Sequence, residues 1–325
     1  MQDVPTINID RYLRGDMTQQ DMATLARACE DHGFFLLSGH GYEASIDAVF
    51  EQSSRFFAQP KEDKMAVFRN EENPLGYYDR ELTKLFRDQK EVFDFKAGGH
   101  QSRDPARRSR WPADLPDFQS TLTAFFTDFT KLASVTMEMI FAALGMPPET
   151  IAQTMQNGFG ERHSSAARLN YYPAHDPVPA LDRANVSALG DMALHHHTDP
   201  GAITLLLQDD HGGLQARSKT DGWIDVPPVA GTIVVNVGDV LQVWTNDRCT
   251  AGVHRVLPVR SDSGRYSTPF FYQPNVDAVV APWTTAGEQP HYQAFSWREY
   301  IRGRVTDNFA DYGESDIQIE RYRVA

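Results

Sequence analysis

Three consecutive histidines followed one residue later by an aspartate make Leu194-His195-His196-His197-Thr198-Asp199 the run in this chain best suited to metal chemistry. Two imidazoles and one carboxylate on one face of an octahedron suit a redox-active iron, because three positions stay open for other reactants. Side chains two residues apart on a strand point the same way, so His197 and Asp199 pair while His196 faces the other side. His195 shares the parity of His197 and remains a rival, at the cost of leaving the carboxylate unused. The third ligand must come from elsewhere, and His254, in the apolar-flanked "GVHRV", offers it on another expected strand. His211, in "DDHGG", reads as a turn residue.

Two further stretches point to an anion. In "RYS", Arg265 and Ser267 put a guanidinium and a hydroxyl on one strand face, a fork and an extra donor for a carboxylate. In "RLNYYP", Arg168, Asn170 and Tyr172 alternate along an otherwise apolar strand, and buried polar groups of this kind need partners.

The elements that must position these residues divide in two. The N-terminal part is largely helical: a stripe of Met22, Leu25, Ala26 and Cys29 predicts a helix over 20–32 stopped by Gly33, and a second helix fits 46–57, with "FFLLSGHG" as a buried strand between them. From Asp117 to Met146, apolar residues recur every three or four positions, which predicts one long helix ended by Gly145 and the Pro147-Pro148 pair. Between Gly98 and Pro116 the Gly, Pro and Arg content reads as a surface connection. Beyond Ser164 the texture changes to short runs, "AITLLLQ", "GLQAR", "WIDVPP", "GTIVVNVGDVLQVWT", "GVHRVLP" and "RYSTPFFYQP", punctuated by Gly, Pro, Asn and Asp. That pattern favours an antiparallel sandwich or barrel, giving a mainly β protein with added helices.

Composition narrows the partners. In 325 residues, 44 acidic against 31 basic side chains leave a net charge of −13, which opposes nucleic acid and anionic membranes and favours a small molecule. Two scattered cysteines, Cys29 and Cys249, make no disulfide framework, and no signal peptide or membrane-length apolar run is visible, so a cytoplasmic location is expected. Oligomeric state stays open.

Taken together, "NYYP", "HTDPGAITLLLQDDHGGLQ", "GWIDVPPVAGTIVVNVGDVLQVWTND", "HRV" and "RYSTPFFYQP" resemble the iron(II)- and 2-oxoglutarate-dependent oxygenases of the isopenicillin N synthase-like, plant-type branch. "ACEDHGFFLLSGHGYEASIDAVFEQSSRFFAQPKEDK" and "GYYDRELTKLFRDQKEVFDF" are similar to that branch's N-terminal region, so nearly the whole chain is covered. The resemblance implies a double-stranded β-helix, or jelly roll, flanked by helices: an N-terminal region over 1–116, the long helix and core over 117–290, and a helical tail over 291–325. It implies Fe(II) on His197, Asp199 and His254, and 2-oxoglutarate with its distal carboxylate on Arg265 and Ser267 beside Tyr172 and Asn170. Where many relatives have a bulkier residue before "VHRV", this chain has Cys249-Thr250-Ala251-Gly252.

The implied activity is a dioxygenase reaction that consumes O2 and releases succinate and CO2 while hydroxylating, desaturating or demethylating a small, partly apolar organic substrate, in the manner of secondary metabolism. Its pocket is expected between "GYYDRELTKLFRDQKEVFDF" and "FSWREYIRGRV", with Tyr77, Tyr78, Arg80, Arg87 and Phe93 as candidates. Three rivals compete: an isopenicillin N synthase-like oxidase without 2-oxoglutarate, a zinc hydrolase using the same three ligands, and a non-catalytic binding barrel.

Overall fold

Four consecutive buried residues, Phe34 to Leu37, mark the strand Phe34–Ser38 as covered on both faces. Phe35 and Leu37 enter a large core beneath the helices, whereas Phe34 and Leu36 join Tyr172, Leu214, Ala216 and Val256 in a second cluster on the opposite face. The computed structural model describes residues 4–70, 72–83, 86–98, 102, 104–160, 163–259, 264–305 and 317–324.

Phe34–Ser38 belongs to an eight-stranded sheet. Its order is Thr6–Asn8, Phe34–Ser38, Thr232–Val237, Ile203–Gln208, Arg265–Tyr272, Ala166–Tyr172, Glu91–Phe95 and Gly76–Tyr78. A four-stranded sheet, ordered Gly222–Asp225, Leu214–Ser218, His254–Val256 and Leu194–His197, faces the second cluster. From Leu194 onward the chain alternates between the two sheets apart from one hairpin, Leu214–Ser218 with Gly222–Asp225, that stays in the small sheet; this is the winding of a jelly roll, and the expected architecture holds.

The outer face of the large sheet is closed by the helix Phe118–Ala143, whose Phe125, Phe126 and Phe129 pack on Phe270. The helix ends at its Leu144 cap, just before the expected stop at Gly145. Gly145, at φ +76°, turns the chain, and Pro148 opens a separate helix, Pro148–Gly158, at a first-turn position where a missing N–H costs nothing. The two N-terminal helices appear as Gln19–Asp31 and Glu43–Phe57, the first begun by a Thr18/Asp21 capping box. Gly33 does more than end a helix: at φ +71° its missing Cβ would lie 2.3 Å from the Thr250 carbonyl, so only glycine lets this turn touch the segment leading to His254.

A second departure lies in "GTIVVNVGDVLQVWT", where only Thr232–Val237 is strand and Asp239–Trp244 is a short helix. Of the Gly98–Pro116 connection, residues 99–101 and 103 lie outside the described residues; the rest holds one short 3-10 turn, Pro105–Arg107. Among the described residues no helix is long and apolar enough to cross a membrane.

Candidate functional site

His254 and His197 are direct cross-strand partners in the small sheet, so their imidazoles meet, with ring centroids 4.3 Å apart. Asp199 lies just past the end of the Leu194–His197 strand, and its Oδ1 comes to 3.7 Å from His197 Nε2. Ligand atoms of all three side chains lie within 4.8 Å of one another.

Each of the three is aimed by a second contact. His197 Nδ1 is 2.9 Å from the His195 carbonyl, and His254 Nδ1 is 2.9 Å from the Gly252 carbonyl. A carbonyl can only accept, so both Nδ1 atoms carry the proton and both Nε2 lone pairs are left for a metal. Asp199 Oδ2 accepts from the Thr204 hydroxyl and from Asn236 Nδ2 at 2.9 Å, which leaves Oδ1 for a cation. Thr204 and Asn236 face each other across neighbouring strands, polar residues at inward positions of "AITLLLQ" and "TIVVNV". The inward-polar logic that singles out Asn170 would also have found them.

Protonation favours a metal too. Burial, then the neighbouring His254, pushes the His197 imidazole well below its ordinary value, so it is neutral at pH 7. Burial works against the Asp199 carboxylate, but His254, His197 and the Thr204 and Asn236 hydrogen bonds outweigh it and lower its pKa. Replacing Asn236 with Leu removes a donor from Oδ2 without touching the three candidate ligands. Fe(II) affinity is expected to drop roughly 10- to 100-fold, read by anaerobic metal titration.

His195 and His196 go elsewhere. His195 Nδ1 bonds Asp88 at 3.2 Å, a contact that raises its pKa, while its ring stacks on Phe86; His196 meets the edge of Trp223. The parity argument reaches the same pair by an incomplete route, because the strand stops at His197 and Asp199 lies just beyond it, outside the ladder.

On the facing wall Arg265 is 1% exposed, over the Tyr172 ring at 5.0 Å. Its Nη2 donates to Gln208 Oε1 at 3.3 Å, but among the described residues Nε and Nη1 find no hydrogen-bond partner. A buried guanidinium with orphaned donors is costly unless an anion meets it, so the wall fits a carboxylate. Ser267 stands two residues along, taking a bond from Asn170 Nδ2 at 3.3 Å, and register pairs Arg265 with Tyr172 and Ser267 with Asn170. Arg168 does not join them. It is bound to Glu81 and Asp94 in a buried network with Arg69, and Lys90 joins Glu81 to Asp88. Burial opposes the Glu81 charge, yet Arg168, Lys90 and Arg69 hold its carboxyl well below the usual range.

A family model described as the 2OG-Fe(II) oxygenase superfamily matches residues 163–274, and another described as the non-haem dioxygenase in morphine synthesis N-terminal matches residues 4–117. The chain is 32% identical over 329 residues to the 2-oxoglutarate-dependent dioxygenase citB of Monascus ruber, covering 94% of this chain and 95% of that one. The chain belongs to the 2OG-Fe(II) oxygenase superfamily. It is also 31% identical over 308 residues to gibberellin 2-beta-dioxygenase 4 of Arabidopsis thaliana, covering 92% of the oxygenase and 89% of the plant protein. Among solved structures, a full-length Neurospora crassa protein in complex with alpha-KG and thymine matches with a TM-score of 0.76 and 27% identity, over 93% of the oxygenase and 96% of that chain. JOX2 in complex with 2OG, Fe and JA matches with a TM-score of 0.80 and 26% identity, over 100% and 90%. The oxygenase is therefore an oxidoreductase that uses Fe(II) and 2-oxoglutarate.

The expected substrate residues scatter. Tyr77 and Phe93 face each other on the outer side of the sheet and pack with Phe56; the Tyr77 hydroxyl donates to Glu91. Arg87, 2% exposed, forks onto Asp176 at 2.6 and 2.8 Å and bonds the Ser187 carbonyl. These three are occupied by the fold, and burial among rings or carboxylates is the reason. Tyr78 faces inward, in a cross-strand row with Val92, Asn170 and Ser267. Arg80 keeps 28% of its side chain in solvent and bonds Asp79. Lys84 and Leu85, within the same stretch, lie outside the described residues.

Proposed function

We propose that the oxygenase binds Fe(II) through His197 Nε2, Asp199 Oδ1 and His254 Nε2. In this reading the distal carboxylate of 2-oxoglutarate sits on Arg265 and Ser267, with Asn170 and Tyr172 beside them. The single observation that carries it is Arg265: a fully buried guanidinium with two orphaned donors, on the same barrel wall as an inward hydroxyl. When bound, the iron would let O2 oxidise 2-oxoglutarate to succinate and CO2, one oxygen atom entering succinate and the other supplying the oxidising power spent on the substrate. The chain's own part is positional. Two imidazoles with protonated Nδ1 and a carboxylate fixed at Oδ2 hold the metal in one orientation, and Arg265 sets the reach of the cosubstrate.

The substrate in this reading is a small, partly apolar organic molecule, and the reaction is its hydroxylation, desaturation or demethylation. Support comes from relatives solved with small molecules, thymine in one and JA in the other. Tyr78, inward and in line with Asn170, is the aromatic candidate for contact, with Arg80 as the accessible cation.

The test has two stages. Anaerobic addition of Fe(II) and then 2-oxoglutarate is expected to give a visible metal-to-ligand charge-transfer band, which Arg265→Leu removes at the same concentrations. Aerobic incubation with a panel of small aromatic and alicyclic metabolites is then read by mass spectrometry. A gain of one oxygen, a loss of two hydrogens or a loss of one carbon unit, each matched by succinate, names the substrate and the reaction. No band in the wild-type protein would sink the assignment of ligands.

A further inference from the structure

The turn that joins His197 to Asp199 is gripped from outside the barrel. Arg304, on the C-terminal helix Trp297–Val305, donates from Nη2 to the Thr198 carbonyl at 2.7 Å. Its side chain is 7% exposed, and Nη1 reaches Gln318 Oε1 at 2.7 Å and stands 3.7 Å from Asp239 Oδ2. Tyr300, one helical turn earlier, donates its hydroxyl to that same Asp239 oxygen at 2.6 Å. Asp239 in turn gives its backbone N–H to the Asp199 carbonyl at 2.8 Å, and the Val240 N–H reaches the Gly201 carbonyl at 3.0 Å. The packing leaves no slack, since a Cβ on Gly238 would lie 2.3 Å from the Gly201 carbonyl oxygen and 2.9 Å from that of Asp199.

Asp199 is thus fixed at two ends. Its carboxylate is tied to the barrel wall by Thr204 and Asn236, and its backbone is tied, through Thr198 and Asp239, to the C-terminal helix. Metal sites tolerate ligand displacements of only about 0.2 Å. The peptide between two ligands is therefore a place where a distant helix can act on the metal.

We propose that Arg304, assisted by Tyr300, is a positioning residue for the iron: the C-terminal helix sets where Asp199 stands relative to His197. The inference rests on the assignment of those two residues as ligands. A guanidinium suits the task because its planar fork serves the Thr198 carbonyl and the Asp239 and Gln318 side chains at once, which a lysine ammonium on a narrower stem reproduces only in part.

The experiment uses the full-length protein. Arg304→Gln, Arg304→Lys and Tyr300→Phe are titrated anaerobically with Fe(II), and the visible d–d spectrum of each Co(II) form is recorded. Thermal unfolding of the metal-free proteins checks the fold. Arg304→Gln is expected to bind Fe(II) roughly 10- to 100-fold more weakly with an altered Co(II) spectrum, as for contacts that orient metal ligands. Arg304→Lys should fall between it and the wild type. At saturating iron, 2-oxoglutarate affinity should stay within about twofold in all three, because Arg265 lies on a different strand and its fork is untouched. A folded Arg304→Gln with wild-type Fe(II) affinity and Co(II) spectrum would overturn the proposal. If Arg304→Gln does not fold, wild-type affinity and spectrum in both Arg304→Lys and Tyr300→Phe would overturn it. Failure of the wild-type protein to bind Fe(II) at all would instead count against the ligand assignment, so the two readings fail separately.

Discussion

Arg265→Leu is expected to weaken 2-oxoglutarate binding by roughly 100- to 1,000-fold while leaving the metal-free protein as stable as the wild type or more so. The two halves of that expectation have one cause. Arg265 is buried with Nε and Nη1 unpaired, a state that costs free energy until an anion arrives. Leu fills much of the same space without the charge, so the free protein loses a liability, whereas the complex loses a desolvated, forked contact worth about 3–4 kcal/mol. Arg265→Lys keeps the charge and loses the fork, so it should recover only part of the affinity. Anaerobic titration of the charge-transfer band gives the dissociation constant, and thermal unfolding of the metal-free proteins gives the stability. An unchanged constant in Arg265→Leu would remove Arg265 from the cosubstrate site. A large fall in metal-free stability would show that its role in the fold outweighs its cost there.

The legible parts of this protein are those where one local rule acts alone. Phe34 to Leu37 read as a strand buried on both faces because nothing competes with a continuous apolar run. Gly33 read as a stop because a left-handed turn was needed there. The His197-Asp199 pair follows from a two-residue period, although the strand ends at His197 and Asp199 stands just past it. What stayed hidden needed a long-range partner to decide it. Val240, Leu241, Val243 and Trp244 are as apolar as a strand over so short a run, and their three-and-four spacing is overshadowed by the strand before it; Gly238, packed against Gly201 and Asp199, marks where strand gives way to helix.

Charge shows the same limit. Arg168, Asn170 and Tyr172 alternate on one strand face, yet Arg168 is taken by Glu81 and Asp94 while the other two stay beside Arg265 and Ser267. Arg87 is among the candidates for substrate contact in the sequence, and Asp176, 89 residues away, claims it. An arginine in sequence advertises a need for an anion without saying whether the chain supplies it. Arg265 reaches its buried position with Nε and Nη1 unmatched among the described residues, and that surplus is what supports the proposed reading of it as a binding group.

His197→Ala and His195→Ala should separate cleanly, although the two residues stand on one strand. His197→Ala deletes one of two imidazoles facing Asp199, so Fe(II) affinity should fall beyond the roughly 10- to 100-fold typical of contacts that merely orient a ligand, and succinate formation should stop. In the proposed site His195 acts through its backbone carbonyl, which alanine keeps, so His197 Nδ1 retains its acceptor. What His195→Ala loses is the bond to Asp88 and the stacking on Phe86, a stability cost of about 1–3 kcal/mol. Asp88 remains paired with Lys90 and Thr83, which limits the damage. Fe(II) affinity in His195→Ala is therefore expected to stay within about tenfold of wild type, below the usual second-contact range or at its lower edge. Iron content after anaerobic loading and succinate yield under saturating 2-oxoglutarate decide the matter. If His195→Ala lost iron while His197→Ala kept it, the metal would sit further back along the strand, and the orientation of the His197 and His254 imidazoles by backbone carbonyls would have no bearing on it.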